Sequence, residues 1–188
     1  MRAVIALLLG TLIATAAHAA PQTYALQPQT SSVGFETDFG PDKINGKMPV
    51  SRADLSLDFQ NVANSRGDVT LDVTGAEASF PFAAQAMKGP KVLDSHEYPT
   101  IHFASTSVTR DGDGARVQGN ITIRGVTRPA ELHAVITRQA GTDAGDLRLL
   151  VIRLTGAVLR SDFGATGWND MVGDQVRLDI LARIERVD

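Results

Sequence analysis

The sequence predicts an all-β protein, an antiparallel β-barrel of about eight strands with one short helix near residues 82–88. Short segments of alternating apolar and polar residues run along most of the chain. Clusters of Gly, Asn, Asp and Pro separate these segments at the spacing of turns. A single stretch has helix-forming composition. A two-sheet sandwich is the alternative, because a period of two is common to both architectures.

The beginning of the chain predicts an export signal. Arg2 is followed by an almost unbroken apolar run over residues 3–16, and the small-x-small sequence Ala-His-Ala ends at Ala19. Cleavage after Ala19 assigns residues 1–19 to a signal peptide and residues 20–188 to one domain in the periplasm or outside the cell. The run is shorter than the roughly 20 residues of a membrane span, so we expect no stable membrane insertion.

Eight segments are predicted as strands, and all but one place their apolar residues on one side of the chain. Seven of them have the inward sets Val33, Phe35 and Phe39; Leu55, Leu57 and Phe59; Val69, Leu71 and Val73; Ile101 and Phe103; Val117, Ile121 and Ile123; Leu132, Ala134 and Ile136; and Val176, Leu178, Ile180, Ala182 and Ile184. Turns are predicted at residues 111–114 and 142–145.

Three segments depart from simple alternation. Residues 82–88 have Phe82, Ala83, Ala86 and Met87 at helical spacing, and Gly-Pro follows. Residues 149–154 are apolar on both faces, which fits a strand covered outside by the helix or a partner subunit, or a strand that meets a lipid chain. Residues 160–168 form a long loop, in which Phe163 and Trp168 either plug the barrel end or form the lip of a cavity.

Charge and composition disfavour several functions. The formal net charge is −3 without a basic run, which disfavours nucleic acid as a partner. The sequence has no cysteine, so a disulfide is excluded. His96, His102 and His133 are the histidines after the signal, and they lack the spacing of a metal site or a catalytic motif. We therefore expect no enzyme, metal or cofactor, although His96 between acidic residues is the candidate for hydrolysis.

Five ordered segments resemble the YceI-like family, which consists of periplasmic proteins that bind polyisoprenoid or related lipids. They are YAL at residues 24–26 with SSVGF at residues 31–35; Gly46 with LDF at residues 57–59; Leu93-Asp94 with YPTIHF at residues 98–103 and Ser105; GNITIRGVTRP at residues 119–129; and RSDFG at residues 160–164 followed by VGDQV at residues 172–176. The resemblance implies a lipocalin-like β-barrel, isoprenoid or fatty-acyl binding, and a possible homodimer.

Two segments differ from the family pattern. Many members have a Lys-His-x-Gly segment where this chain has DFG at residues 38–40, and an Arg-Asp-x-His-Leu stretch where it has FAAQAMKG at residues 82–89. Head-group recognition by those family residues is therefore not expected here.

Together, the residues and the resemblance predict a periplasmic binding or carrier protein for a long-chain apolar lipid of polyisoprenoid, isoprenoid quinone or fatty-acyl type. The predicted ligand-binding residues are Val33, Phe35, Phe39, Leu57, Phe59, Leu71, Phe82, Met87, Phe103, Ile121, Ile123, Phe163 and Trp168. The alternative is a non-catalytic interaction module with a filled barrel, which forms oligomers through residues 149–154.

Overall fold

Most strands of the protein coincide with the predicted alternating segments, whereas those over residues 22–26, 42–48 and 77–78 have no counterpart among them. The computed structural model describes residues 20–138, 142–143 and 145–187, so the predicted signal peptide lies outside the described residues. Within these ranges there are eleven strands and one α-helix. They are β1 (Gln22–Leu26), β2 (Ser32–Phe39), β3 (Asp42–Met48), β4 (Val50–Leu57), β5 (Arg66–Asp72), β6 (Glu77–Ala78), α1 (Pro81–Lys88), β7 (Thr100–Asp111), β8 (Gly114–Ile123), β9 (Val126–Arg138), β10 (Leu149–Leu159) and β11 (Val172–Arg186).

Eight of the described strands close into a ring. Their order is β1-β4-β5-β7-β8-β9-β10-β11, and β11 pairs back to β1. Each neighbouring pair is antiparallel. Closure removes the unpaired edges that a flat sheet would expose. The eight-stranded barrel is therefore confirmed, and the sandwich alternative is wrong.

At two positions around the barrel, two consecutive strands lie end to end and together form one side of the wall. The long strand β11 pairs with β2 over residues 172–181 and with β1 over residues 184–186. The strands β3 and β4 likewise follow one another, with Pro49 between them. Proline lacks the backbone N–H that a continuous ladder needs, so the wall strand is interrupted there.

The connections lie at two opposite ends because successive wall strands alternate in direction. One end, the helix end, holds the β2–β3 turn, residues 73–99 with α1, the β8–β9 turn and the loop at residues 160–171. The other end, the termini end, holds Ala20, Val187 and the loop between β4 and β5.

A separate apolar cluster packs near each end. The buried residues near the helix end are Met48, Val73, Ala76, Ile101, Ile121, Ile123 and Phe163. Those at the termini end are Tyr24, Leu150 and Ile184. The Tyr24 hydroxyl donates to the Leu147 carbonyl at 2.9 Å, and its ring packs edge-to-face on Phe59 with centroids 5.8 Å apart. Burial raises the pKa of Tyr24, which favours the neutral hydroxyl that donates this bond.

The strand predicted to be apolar on both faces is β10. Leu150 belongs to the cluster at the termini end, and Ile152 and Leu154 face the barrel interior. Leu149 and Val151 lie on the opposite face and are half-buried. A partner subunit on this outer face stays a prediction.

A charge network joins β2, β3 and β11 outside the barrel. Arg177 donates to Glu36 at 3.0 Å and also to Asp38, and Lys43 donates to Glu36 at 2.7 Å. The Lys43 hydrogen bond, followed by that of Arg177, lowers the pKa of Glu36. The Arg177 hydrogen bond lowers the pKa of Asp38.

These two lowered pKa values predict acid sensitivity. A carboxylate whose pKa is lowered in the folded state stabilises the protein at a pH above its unfolded-state pKa, which is about 4 for Asp and Glu. This stabilisation is lost as the pH falls through the pKa of the folded state. We expect the urea concentration at the unfolding midpoint to decrease as the pH is lowered below about 4. It should decrease less steeply in the Glu36→Gln/Asp38→Asn variant. Parallel slopes for both proteins between about pH 4 and pH 2.5 would contradict a contribution from this network.

Candidate functional site

The interior of the barrel contains a cavity of approximately 1200 Å³. Ligand sites for small molecules usually measure about 300–1,000 Å³, so this cavity has room for a large or long molecule. Its lining is almost entirely apolar and comes from strands all around the ring.

The alternation of side chains along each strand produces this lining. On β11, Val176, Leu178 and Ile180 face the cavity, whereas Arg177 and Asp179 form ion pairs outside. Successive residues of a strand point to opposite faces, so a single polar-apolar pattern makes both surfaces.

Inward residues near the middle of the walls are only half-buried. Examples are Val69, Val117, Leu154 and Leu178. A residue in a filled core touches about 6–12 others and is closed to solvent, whereas these side chains border open space. The barrel is therefore hollow between its two end clusters, which contradicts the filled-barrel alternative.

The thirteen predicted ligand-binding residues all line this cavity. They are Val33, Phe35, Phe39, Leu57, Phe59, Leu71, Phe82, Met87, Phe103, Ile121, Ile123, Phe163 and Trp168. Their contact with a ligand stays a prediction. Leu178 and Ile180 also line the cavity and have the same parity signal in the sequence, but they are not in the predicted set.

Two glycines leave room for aromatic rings on the cavity wall. A Cβ atom at Gly46 would lie 2.0 Å from Cζ of Phe35, and one at Gly119 would lie 2.4 Å from Cζ of Phe103. Each ring therefore lies against a bare glycine backbone instead of projecting farther into the cavity. This arrangement explains Gly119, the first glycine of the GNITIRGVTRP segment.

Phe103 and Phe163 offer a matched test of the hollow interior. Phe163 is only 3% exposed and belongs to the buried cluster near the helix end, whereas Phe103 packs against this cluster but is only half-buried where it borders the cavity. We expect Phe163→Ala to cost about 3–5 kcal/mol of unfolding free energy and Phe103→Ala about 1–2 kcal/mol. Urea unfolding measures both values, and equal costs would indicate that Phe103 lies in a filled core.

Arg160 holds the loop that closes part of the helix end. It is 8% exposed, and burial lowers the pKa of its guanidinium. Its nitrogens donate to four backbone carbonyls at 2.7–3.1 Å, those of Ala165, Gly167, Val172 and Gly173. The sequence analysis missed this role because a loop arginine ordinarily predicts solvent exposure.

The two aromatic residues of this loop have different positions. Phe163 is buried and plugs part of the helix end, whereas Trp168 is exposed beside the cavity. Phe80, Phe82 and Met171 are likewise both exposed and part of the cavity lining. These four residues, Phe80, Phe82, Trp168 and Met171, are called the apolar rim below.

The candidate catalytic residues do not come together at the cavity. His102 bonds Asp68 at 2.9 Å on β7 and β5, and His133 lies 3.9 Å from Asp111. His96 is exposed in the loop after α1. Among residues 20–138, 142–143 and 145–187, no group of three or more His, Cys, Asp or Glu side chains could hold a metal ion.

The fold and the cavity define a class of protein, the hollow antiparallel β-barrel with an apolar interior. The family model of the YceI-like domain matches residues 24–184, so the chain belongs to the YceI-like family. The resemblance seen in the sequence is thereby confirmed.

Relatives and solved structures agree with this assignment. A UPF0312 protein of Enterobacter sp. (strain 638) is 25% identical over 182 residues, which cover 95% of this chain and 93% of the relative. The crystal structure of Burkholderia cenocepacia BcnA is similar with a TM-score of 0.76 at 18% identity, over 85% of this chain and 99% of that one. A polyisoprenoid binding domain from Saccharophagus degradans, implicated in plant cell wall breakdown, has a TM-score of 0.64 at 9% identity, over 88% and 99% of the chains.

Proposed function

We propose that the protein binds a long apolar lipid inside the barrel and sequesters or carries it in the periplasm. Polyisoprenoids, isoprenoid quinones and fatty-acyl chains are the ligand types that fit. The approximately 1200 Å³ apolar cavity carries this proposal. The similar Saccharophagus degradans domain, named a polyisoprenoid binding domain, supports the choice of ligand class.

The buried polar side chains of the lining already have hydrogen-bond partners within the protein. Arg160 donates to four carbonyls, and the Thr37 hydroxyl is bonded to the carbonyls of Gly173 and Gln175 at 3.0 Å. A polar ligand would lose its bonds to water and gain few here. A hydrocarbon chain loses no such bonds and gains about 0.8 kcal/mol for each buried CH₂ group.

The chemistry of the lining favours binding over catalysis. The described lining residues include no histidine, and the acidic residues among them are Asp58 and Glu131. The Asp58 carboxylate accepts from the backbone N–H groups of Gln60 and Asn61, which organises the loop after β4. We therefore propose a non-catalytic role.

A chain-length series tests the proposal. Delipidated protein is titrated with linear alcohols of increasing length in detergent-free buffer, and binding is measured by calorimetry. We expect the dissociation constant to fall about four-fold for each added CH₂ until the chain fills the cavity, and then to level off. Absence of binding, or an affinity independent of chain length, would contradict a lipid site in the barrel.

A further inference from the structure

The apolar rim is an exposed surface that continues directly into the cavity. Phe80, Phe82, Trp168 and Met171 belong to the cavity lining, and Phe82 is 83% exposed. They come from two segments at the helix end, α1 with its preceding residue and the loop before β11. Clustered exposed apolar side chains in a protein usually mark a surface that contacts another apolar phase.

Hydrogen bonds fix the loop that carries Trp168 and Met171. The backbone N–H of Gly167 donates to the Lys91 carbonyl at 2.8 Å, which joins the loop to the segment after α1. The N–H of Val172 donates to the Trp168 carbonyl at 2.8 Å, and Arg160 binds the Gly167 carbonyl at 2.7 Å. These bonds fix the backbone that presents Trp168, so its exposure is a property of the folded loop.

The rim has the side-chain chemistry of a membrane interface. The Lys91 ammonium lies 5.9 Å from the centroid of the Trp168 ring. Tryptophan is enriched where hydrocarbon meets head groups, and lysine can place its charge among phosphates while its stem stays on apolar surface. Asp170 is also exposed in the loop, so apolar contact supplies more of the attraction than charge does.

We propose that the apolar rim docks on the surface of a lipid bilayer and that the ligand enters and leaves the cavity across this contact. This inference rests on the proposed function, because it gives the route by which the cavity is loaded. A lipid that passes directly from a bilayer into the cavity avoids exposing its chain to water, which would cost about 0.8 kcal/mol for each CH₂ group.

Vesicle flotation with the full mature protein tests the docking. The vesicles contain phosphatidylethanolamine and phosphatidylglycerol with brominated acyl chains. We expect the protein to float with the vesicles and the fluorescence of Trp168, the only tryptophan of the sequence, to be quenched. Phe82→Asp should lower vesicle binding about ten-fold, whereas Phe82→Leu should retain most of it.

Val187→Asp is the matched control, because Val187 is also exposed but lies at the termini end. We expect its vesicle binding to equal that of the unmodified protein. Equal losses in Phe82→Asp and Val187→Asp, or no flotation of the unmodified protein, would overturn the docking proposal. A rim-dependent dimer without flotation would also overturn it, in favour of a second copy as the occupant of the rim.

The alcohol titration separates this proposal from the proposed function. The unmodified protein is titrated without vesicles, so the result depends on the cavity alone. Binding of long alcohols without flotation would leave the lipid-binding function standing and overturn only the docking. Flotation without binding of alcohols would retain the docking surface and contradict its use for loading the cavity.

Discussion

Leu178→Glu is expected to weaken the binding of a long-chain alcohol by about 100-fold or more. Leu178 lies on β11, faces the cavity and is half-buried. A carboxylate at this position would be hydrated in the empty barrel, and an entering alkyl chain would have to displace that water. Calorimetric titration measures the change in affinity.

Gln175→Glu is the control for this variant. It places the same charge on the same strand at an exposed position. We expect its affinity for the alcohol to match that of the unmodified protein. An unchanged affinity in Leu178→Glu would show that the chain does not occupy the centre of the barrel.

Arg160→Met is expected to lower the free energy of unfolding by about 3–5 kcal/mol. The substitution removes the donors to four carbonyls, those of Ala165, Gly167, Val172 and Gly173. Methionine retains much of the apolar stem, so the loss reports mainly the hydrogen bonds. Urea unfolding followed by circular dichroism measures it.

Arg153→Met is the matched control for Arg160→Met. Arg153 forms an exposed ion pair with Asp179 at 2.7 Å on the outer face of β10 and β11. Exposed pairs contribute about 0–1 kcal/mol, so this variant should be nearly as stable as the unmodified protein. Similar losses in the two variants would contradict the anchoring role of Arg160.

The sequence predicts the strands well because strand alternation is a local property. Leu55 and Leu57 with Ser56 between them, for example, show their orientation without reference to any partner. The helix is also local, since Pro81 begins it and Gly89 follows its last residue. These elements alone make a closed barrel the favoured arrangement, because eight strands otherwise leave two edges.

The double pairing of β11 is not visible in the sequence. It depends on which partner reaches each half of one long strand, and these partners lie more than 130 residues away. The structure also shows an interruption at Pro28–Thr30, which divides one side of the barrel wall into β1 and β2. Long-range pairing leaves no periodic signal in the chain.

The alternation of apolar and polar residues along the strands predicts which residues line the cavity. It does not predict how the cavity is closed at its ends. Met87 and Phe82 are both in the short helix and are both predicted to bind the ligand. Met87 packs on the cluster near the helix end, whereas Phe82 is exposed at the rim. The difference depends on how α1 is placed over the barrel, which is set by tertiary packing and not by helical spacing.

The buried position of Arg160 also depends on tertiary structure. Its partners are backbone carbonyls, which every residue possesses, so no pattern of side chains identifies them. The RSDFG segment marks the position as part of the family pattern. Only the folded loop shows that the guanidinium supports the backbone around Trp168.

The most direct measurement is mass spectrometry of an organic extract of the protein purified from its own host. An extract of the same protein after unfolding and refolding in lipid-free buffer serves as the control. We predict a stoichiometric long-chain lipid in the native sample and none in the refolded one. An empty native extract, together with no uptake of added prenyl or acyl lipid, would contradict the assignment of the cavity as a lipid-binding site.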